Sequence, residues 1–77
     1  MPSPQLWSMY PDYRIVQVRG LGPLRVMAWY DVQRDDYRLR VDTWGGLRVV
    51  CSGVRTTQKL TGAFRKIVAV LRKRFHA

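Results

Sequence analysis

An antiparallel sheet of four strands with one amphipathic helix packed on one face, in the order β-β-β-β-α, is the α+β fold that this sequence predicts, with three strands as the minimum. Three observations point there. Apolar residues at Leu60, Phe64, Ile67, Val68, Leu71 and Phe75 recur at helical spacing, and they occupy an arc of roughly 100° that marks one buried stripe. Ahead of them, residues 24–30 and 37–43 alternate with the period of two that half-buried strands require. Between these runs stand the turn formers GLGP at 20–23, DVQRDD at 31–36 and WGG at 44–46. Each is short enough to join neighbouring antiparallel strands into a meander.

Taken in order, residues 1–12 read as an N-terminal arm. Pro2, Pro4 and Pro11 oppose regular structure, while Leu6, Trp7, Met9 and Tyr10 give the arm apolar surface to lay on its own domain, on a neighbouring subunit or in a groove. Residues 13–77 form a single α+β domain. The first strand, 13–19, is rich in β-formers, and 20–23 ends it. In the second, Leu24, Val26, Ala28 and Tyr30 share one face, with Arg25, Met27 and Trp29 on the other. In the third, Tyr37, Leu39, Val41 and Thr43 share a face opposite Arg38, Arg40 and Asp42. The fourth strand covers 47–52.

Register follows from keeping the apolar sets together, because a slip of one residue turns every side chain over. A three-residue loop at 44–46 places Val41 opposite Val49 and Leu39 opposite Cys51 on an inner face. It also places Asp42 opposite Arg48 and Arg40 opposite Val50 on an outer one. Pairing Tyr30 with Tyr37 sets Trp29 beside Arg38, Met27 beside Arg40 and Arg25 beside Asp42. The first hairpin stays open: one residue more or less in its loop moves Val16 and Val18 between the faces.

The helix spans 59–75, with Thr56 or Thr57 as its cap. Gly62 weakens it by about 1 kcal/mol relative to Ala. Away from the apolar stripe lie Lys59, Lys66 and Lys73, spaced by seven, with Arg65 and Arg72 beside them and Arg74 apart. No acid balances them. An exposed helix normally mixes signs and gains from i,i+4 pairs; one with only like charges is best accommodated by a polyanion.

Charge is divided unevenly along the chain. The net charge is +9. Residues 1–42 hold six Arg and all five Asp, a net of +1, whereas residues 43–77 hold eight cations and no acid. Eleven of the fourteen cations are Arg, whose planar fork suits phosphate and base edges. At 77 residues the chain sits near the lower limit for a self-sufficient core. With 47% hydrophobic residues it has apolar surface to share, so a homo-oligomer, a dimer first, is expected. Cys51 is alone, which leaves no disulfide or cysteine cluster. The start MPSPQLWSMYPDY has neither the basic nor the apolar region of a secretory signal. The expected location is cytoplasmic.

Catalytic chemistry finds little support. His76, the one histidine, stands at the fraying end of the chain. Cys51 alternates into the inner face, where it reads as a small core residue. Asp35-Asp36 reads as a polar turn. Glu is absent, and no phosphate-cradling loop or metal-ligand spacing occurs. No cofactor, metal or small-molecule substrate is expected. Membrane binding is not expected either, since the stripe lacks Trp and no apolar run approaches the ~20 residues of a span.

The order of four strands and a helix resembles the unit of the single-stranded-DNA-binding coactivator, Whirly and Pur-repeat modules. The segment YRLRVDTWGGLRVVCSGVRTTQKL is similar to the three-stranded-sheet DNA-binding domains of phage integrases, with a glycine turn, basic strands and a G-x-x-T lead into the helix. The double-stranded-RNA-binding domain also ends in three strands and a basic helix, but its N-terminal helix has no counterpart here, and Thr56-Thr57 stand where it has a Lys-Lys pair. These are likenesses of pattern, and what they share is nucleic-acid binding.

The leading expectation is therefore a small, non-enzymatic nucleic-acid-binding protein for DNA or RNA. Lys59, Arg65, Lys66, Arg72 and Lys73 would contact phosphates from the helix. Arg38, Arg40, Arg48 and Trp29 would hold phosphates and stack bases from the outer sheet face. The two surfaces point in opposite directions, so one of them is expected to be an interface unless an oligomer aligns both. A protein-interaction module that docks on an acidic partner is the first rival, and a small ribonuclease is the second.

Overall fold

The computed structural model describes residues 12–76, with side chains over 13–75. Strands β1 (Asp12–Val18), β2 (Gly22–Asp31), β3 (Asp36–Thr43) and β4 (Arg48–Val54) form one antiparallel sheet in sequence order, and helix α1 (Thr57–His76) follows. This is the expected β-β-β-β-α meander. Asp12, expected to close the arm, opens β1; the rest of the arm lies outside the described residues. The body is 17 Å through its thin dimension, the depth of one helix on one sheet.

Both registers expected from the alternation are present. Trp29 pairs with Arg38, Met27 with Arg40 and Arg25 with Asp42. Val41 pairs with Val49, Leu39 with Cys51 and Asp42 with Arg48. Thr43 fixes the 44–46 loop: its N–H donates to the Leu47 carbonyl at 2.8 Å, and its Oγ1 accepts the Leu47 N–H at 3.0 Å. Gly46 completes that loop at φ +97°, a conformation closed to most side chains.

The first hairpin is resolved by a three-residue loop, 19–21, in which the Leu21 N–H bonds the Val18 carbonyl. Val16 then pairs with Leu24 and faces inward. Gly22 and Pro23, expected in the loop, belong to β2 instead. Pro23 precedes the first pairing of β2 with β3, at Leu24, so its missing N–H interrupts no ladder there.

The core lies between the sheet and α1. Leu24, Val26, Ala28, Leu39, Val41, Leu60 and Leu71 are fully buried, with Ile67, Val68, Val54 and Ala63 beside them. Two members of the expected helix stripe differ. Phe64 is only partly buried, and Phe75 is 53% exposed, because it falls in the last turn of α1. Ala63 takes a buried place. Thr56 caps the helix, its Oγ1 accepting the Lys59 N–H at 3.3 Å. Leu47, just before β4, and the inner β4 residues Val49 and Cys51 are only half-buried, so the helix leaves this edge partly uncovered.

Candidate nucleic-acid interface

Two surfaces carry the expected contact residues, and the fold keeps them apart. The outer sheet face is laid out in rows across the strands. One row runs Tyr13, Met27, Arg40, Val50, and the next runs Ile15, Arg25, Asp42, Arg48. Trp29 and Arg38 stand beside the first row. All the expected sheet residues therefore do share one face.

Their charges, however, are already matched within the fold. Arg38 Nε lies 3.3 Å from Asp31 and 3.8 Å from Asp36. Arg40 Nε lies 3.5 Å from one oxygen of Asp42, while Arg48 Nε bonds the other at 2.8 Å. Arg25 places its guanidinium over the ring of Trp44, 4.9 Å from the centroid, a cation–π contact. Between these groups lie Tyr13, Ile15 and Val50, each more than half exposed, with Met27 and Trp29 half-buried. The face mixes apolar residues with arginines whose charge three aspartates largely offset.

Asp36 does more than its expected turn role. It is buried, and its carboxylate accepts the Gly53 N–H at 2.8 Å. Gly53 has φ +77° at an irregularity of β4, where the ladder shifts before Val54 meets Tyr37. That bend carries the chain from β4 toward α1. Asp35 is the true turn residue, at φ 53°, and it accepts a hydrogen bond from the Tyr30 hydroxyl. This bond, with burial and the carboxylate charge adding to it, raises the Tyr30 pKa above its ordinary 10.0. Tyr30 also meets Tyr37 edge to face, with centroids 5.1 Å apart.

The helix presents the opposite picture. Lys59, Arg65, Lys66, Arg72 and Lys73 are all exposed, as is Arg74. None has an acidic partner among the described residues, and α1 has no acid in its first turn. Lys59, Lys66 and Lys73 form one row, with successive members about 10.5 Å apart along the axis. Lys59 and Lys66 flank β4. Arg72 leans to the other side, where it donates to the Arg19 carbonyl at 3.1 Å. Arg65 shares that flank.

Between α1 and β4 runs an open groove of about 490 Å³. Its floor and wall are Val49, Cys51, Ala63, Ile67 and Val70, and its rim holds Arg55, Lys59 and Lys66. Cys51, expected in the core, packs against its edge and also lines the groove. Val70 is 58% exposed, and a Cβ added at Gly62 would meet nothing within 4 Å. Arg55, Val70 and Trp44 are not among the residues expected at either surface. The signal for Val70 was an apolar residue off the main stripe; Arg55 and Trp44 stand in connections, where alternation gives no guidance.

Among the described residues no group of three His, Cys, Asp or Glu is placed to hold a metal ion, and no helix is long and apolar enough to cross a membrane. No protein-family model, curated protein or solved structure matches this chain.

Proposed function

We propose that this chain is a small, non-enzymatic nucleic-acid-binding protein that meets its ligand with the exposed side of α1. The observation that carries the reading is the difference in compensation. Arg38, Arg40 and Arg48 lie against Asp31, Asp36 and Asp42, whereas the helix cations have no acidic partner among the described residues. A row of unmatched ammonium and guanidinium groups repels itself, and a phosphate backbone relieves that repulsion while releasing its own counterions.

The outer sheet face has a different task in this reading: it packs on a second copy. Its exposed apolar residues favour burial, and the aspartates beside Arg38, Arg40 and Arg48 offset most of the charge that two like faces would bring together. Such a dimer holds its two helices on opposite outer surfaces, which resolves the conflict between two binding faces on one subunit. We place it in the cytoplasm, where a lone thiol such as Cys51 stays reduced.

Fluorescence anisotropy with labelled single-stranded DNA, duplex DNA and RNA at two salt concentrations tests the helix. Binding that weakens with salt is expected. For duplex DNA, Lys59→Glu, Lys66→Glu and Lys73→Glu together should flatten the plot of log affinity against log salt by about 2.7. Absence of binding to all three ligands at low salt removes the reading. Sedimentation tests the dimer, which Ile15→Glu with Val50→Glu should dissociate while the helix still binds.

A further inference from the structure

The groove beside β4 is a binding site of another kind. We infer that it takes an extended acidic peptide, which adds to the sheet as a fifth strand beneath α1. Three features of the site agree.

The first is the edge itself. Thr43 and Leu47 form a hydrogen-bonded pair, and Val41–Val49 and Leu39–Cys51 follow at every second residue. In an antiparallel ladder the residues between such pairs turn their N–H and C=O groups away from the partner strand. Arg48 and Val50 therefore offer backbone donors and acceptors to the open edge of the sheet. An extended peptide satisfies them, and its alternate side chains drop into whatever lies under the edge.

The second feature is what lies there. Val49 and Cys51 form the floor and Ala63, Ile67 and Val70 the wall. None of the lining residues is aromatic, so the groove has no platform on which a base could stack. Apolar peptide side chains fit it; a nucleic acid would reach only its rim.

The third feature is charge, which names the partner. Arg55, Lys59 and Lys66 stand on the rim with no acid among the lining residues. A second copy is unsuited to this edge, since pairing β4 with β4 would bring two such lysine rows side by side. The chain's own first eleven residues carry no acid to meet the rim. A peptide with acidic residues around alternating apolar ones matches both floor and rim.

The site differs from the helix face proposed for nucleic acid, because its floor takes no part in that contact. It does share Lys59 and Lys66, so peptide and nucleic acid compete. Either reading can fail while the other stands.

The test uses the full chain, isotopically labelled, and a blocked ten-residue peptide with valine at alternate central positions and aspartate or glutamate elsewhere. Binding is expected to shift the amide resonances of Arg48 and Val50 and to slow their hydrogen exchange. Gly62→Leu points a side chain into open space; it should weaken the peptide at least tenfold, leave the fold at least as stable, and leave nucleic-acid affinity in place. Methylating the peptide's backbone nitrogens should abolish binding. Three results would overturn the inference: equal affinity for a peptide of the same composition with its valines contiguous, shifts confined to Lys59 and Lys66, or protection of the Arg48 and Val50 amides by an oligonucleotide instead.

Discussion

The β2–β3 hairpin and helix α1 are both rich in cations, yet they use them in opposite ways. In the hairpin and its neighbour β4, three arginines lie within 4 Å of three aspartates, and Asp35 in the turn accepts from Tyr30. In α1 the cations face solvent with no acidic partner among the described residues. Counting positive residues does not separate these cases. What separates them is register, which sets Arg38, Arg40 and Arg48 beside acids on the same face, and chain order, which puts every acid before residue 43. A basic surface is a property of unmatched charge, and here it belongs to the helix.

The largest effect should come from breaking the seam that holds the two regions together. Leu60 is fully buried at the start of α1, so Leu60→Ala should cost about 2–5 kcal/mol, the range for a core truncation that leaves a cavity. Chemical denaturation followed by tryptophan fluorescence and by circular dichroism should give coincident transitions, since sheet and helix share one core. Separate transitions would mean that the regions are independent.

Next in size is a change that should make the sheet resemble the helix. Asp42 holds both Arg40 and Arg48. Asp42→Asn should cost about 1 kcal/mol, as expected when a partly exposed charged partner is lost. It should also weaken the proposed dimer in sedimentation, because two arginines lose their compensation on the face that packs on a second copy. An unchanged dimer would show that this compensation does not serve the sheet contact.

Gly62→Ala works on the helix alone. Its new methyl group meets nothing within 4 Å, so thermal unfolding should show a gain of up to about 1 kcal/mol from helix propensity. The smallest effect concerns Tyr30. Its hydroxyl should titrate above 10.0 in a spectrophotometric titration, and Asp35→Asn should bring it back down. The sign follows from the raised pKa: the neutral phenol is favoured in the fold, so its contribution to stability is complete below the ordinary tyrosine range and is lost as pH rises through the folded value.

Much of this architecture was legible in the sequence, for a physical reason. Strand alternation is a strict constraint, and Val41, Leu39 and Asp42 could each find a suitable partner only with a three-residue loop at 44–46. The first hairpin lacked such a constraint, because Val16 and Val18 suit either face until the turn is known. Asp36 reads as a turn residue in sequence; only the bend at Gly53 gives it a buried donor to satisfy. The groove was hidden for a similar reason. Val49 and Cys51 alternate like core residues, and their exposure depends on where the helix axis crosses the sheet, which alternation alone does not set.

The 17 Å depth of the body has a consequence for how tightly it would hold a long polymer. With one helix on one side of one sheet, a back-to-back pair carries its two contact surfaces about two such depths apart, facing away from each other. A short oligonucleotide occupies one of them and gains nothing from the other. A long chain that loops back finds its second contact already tethered, at an effective concentration set by the loop rather than by the bulk solution. Affinity should then grow with polymer length well beyond the size of a single site.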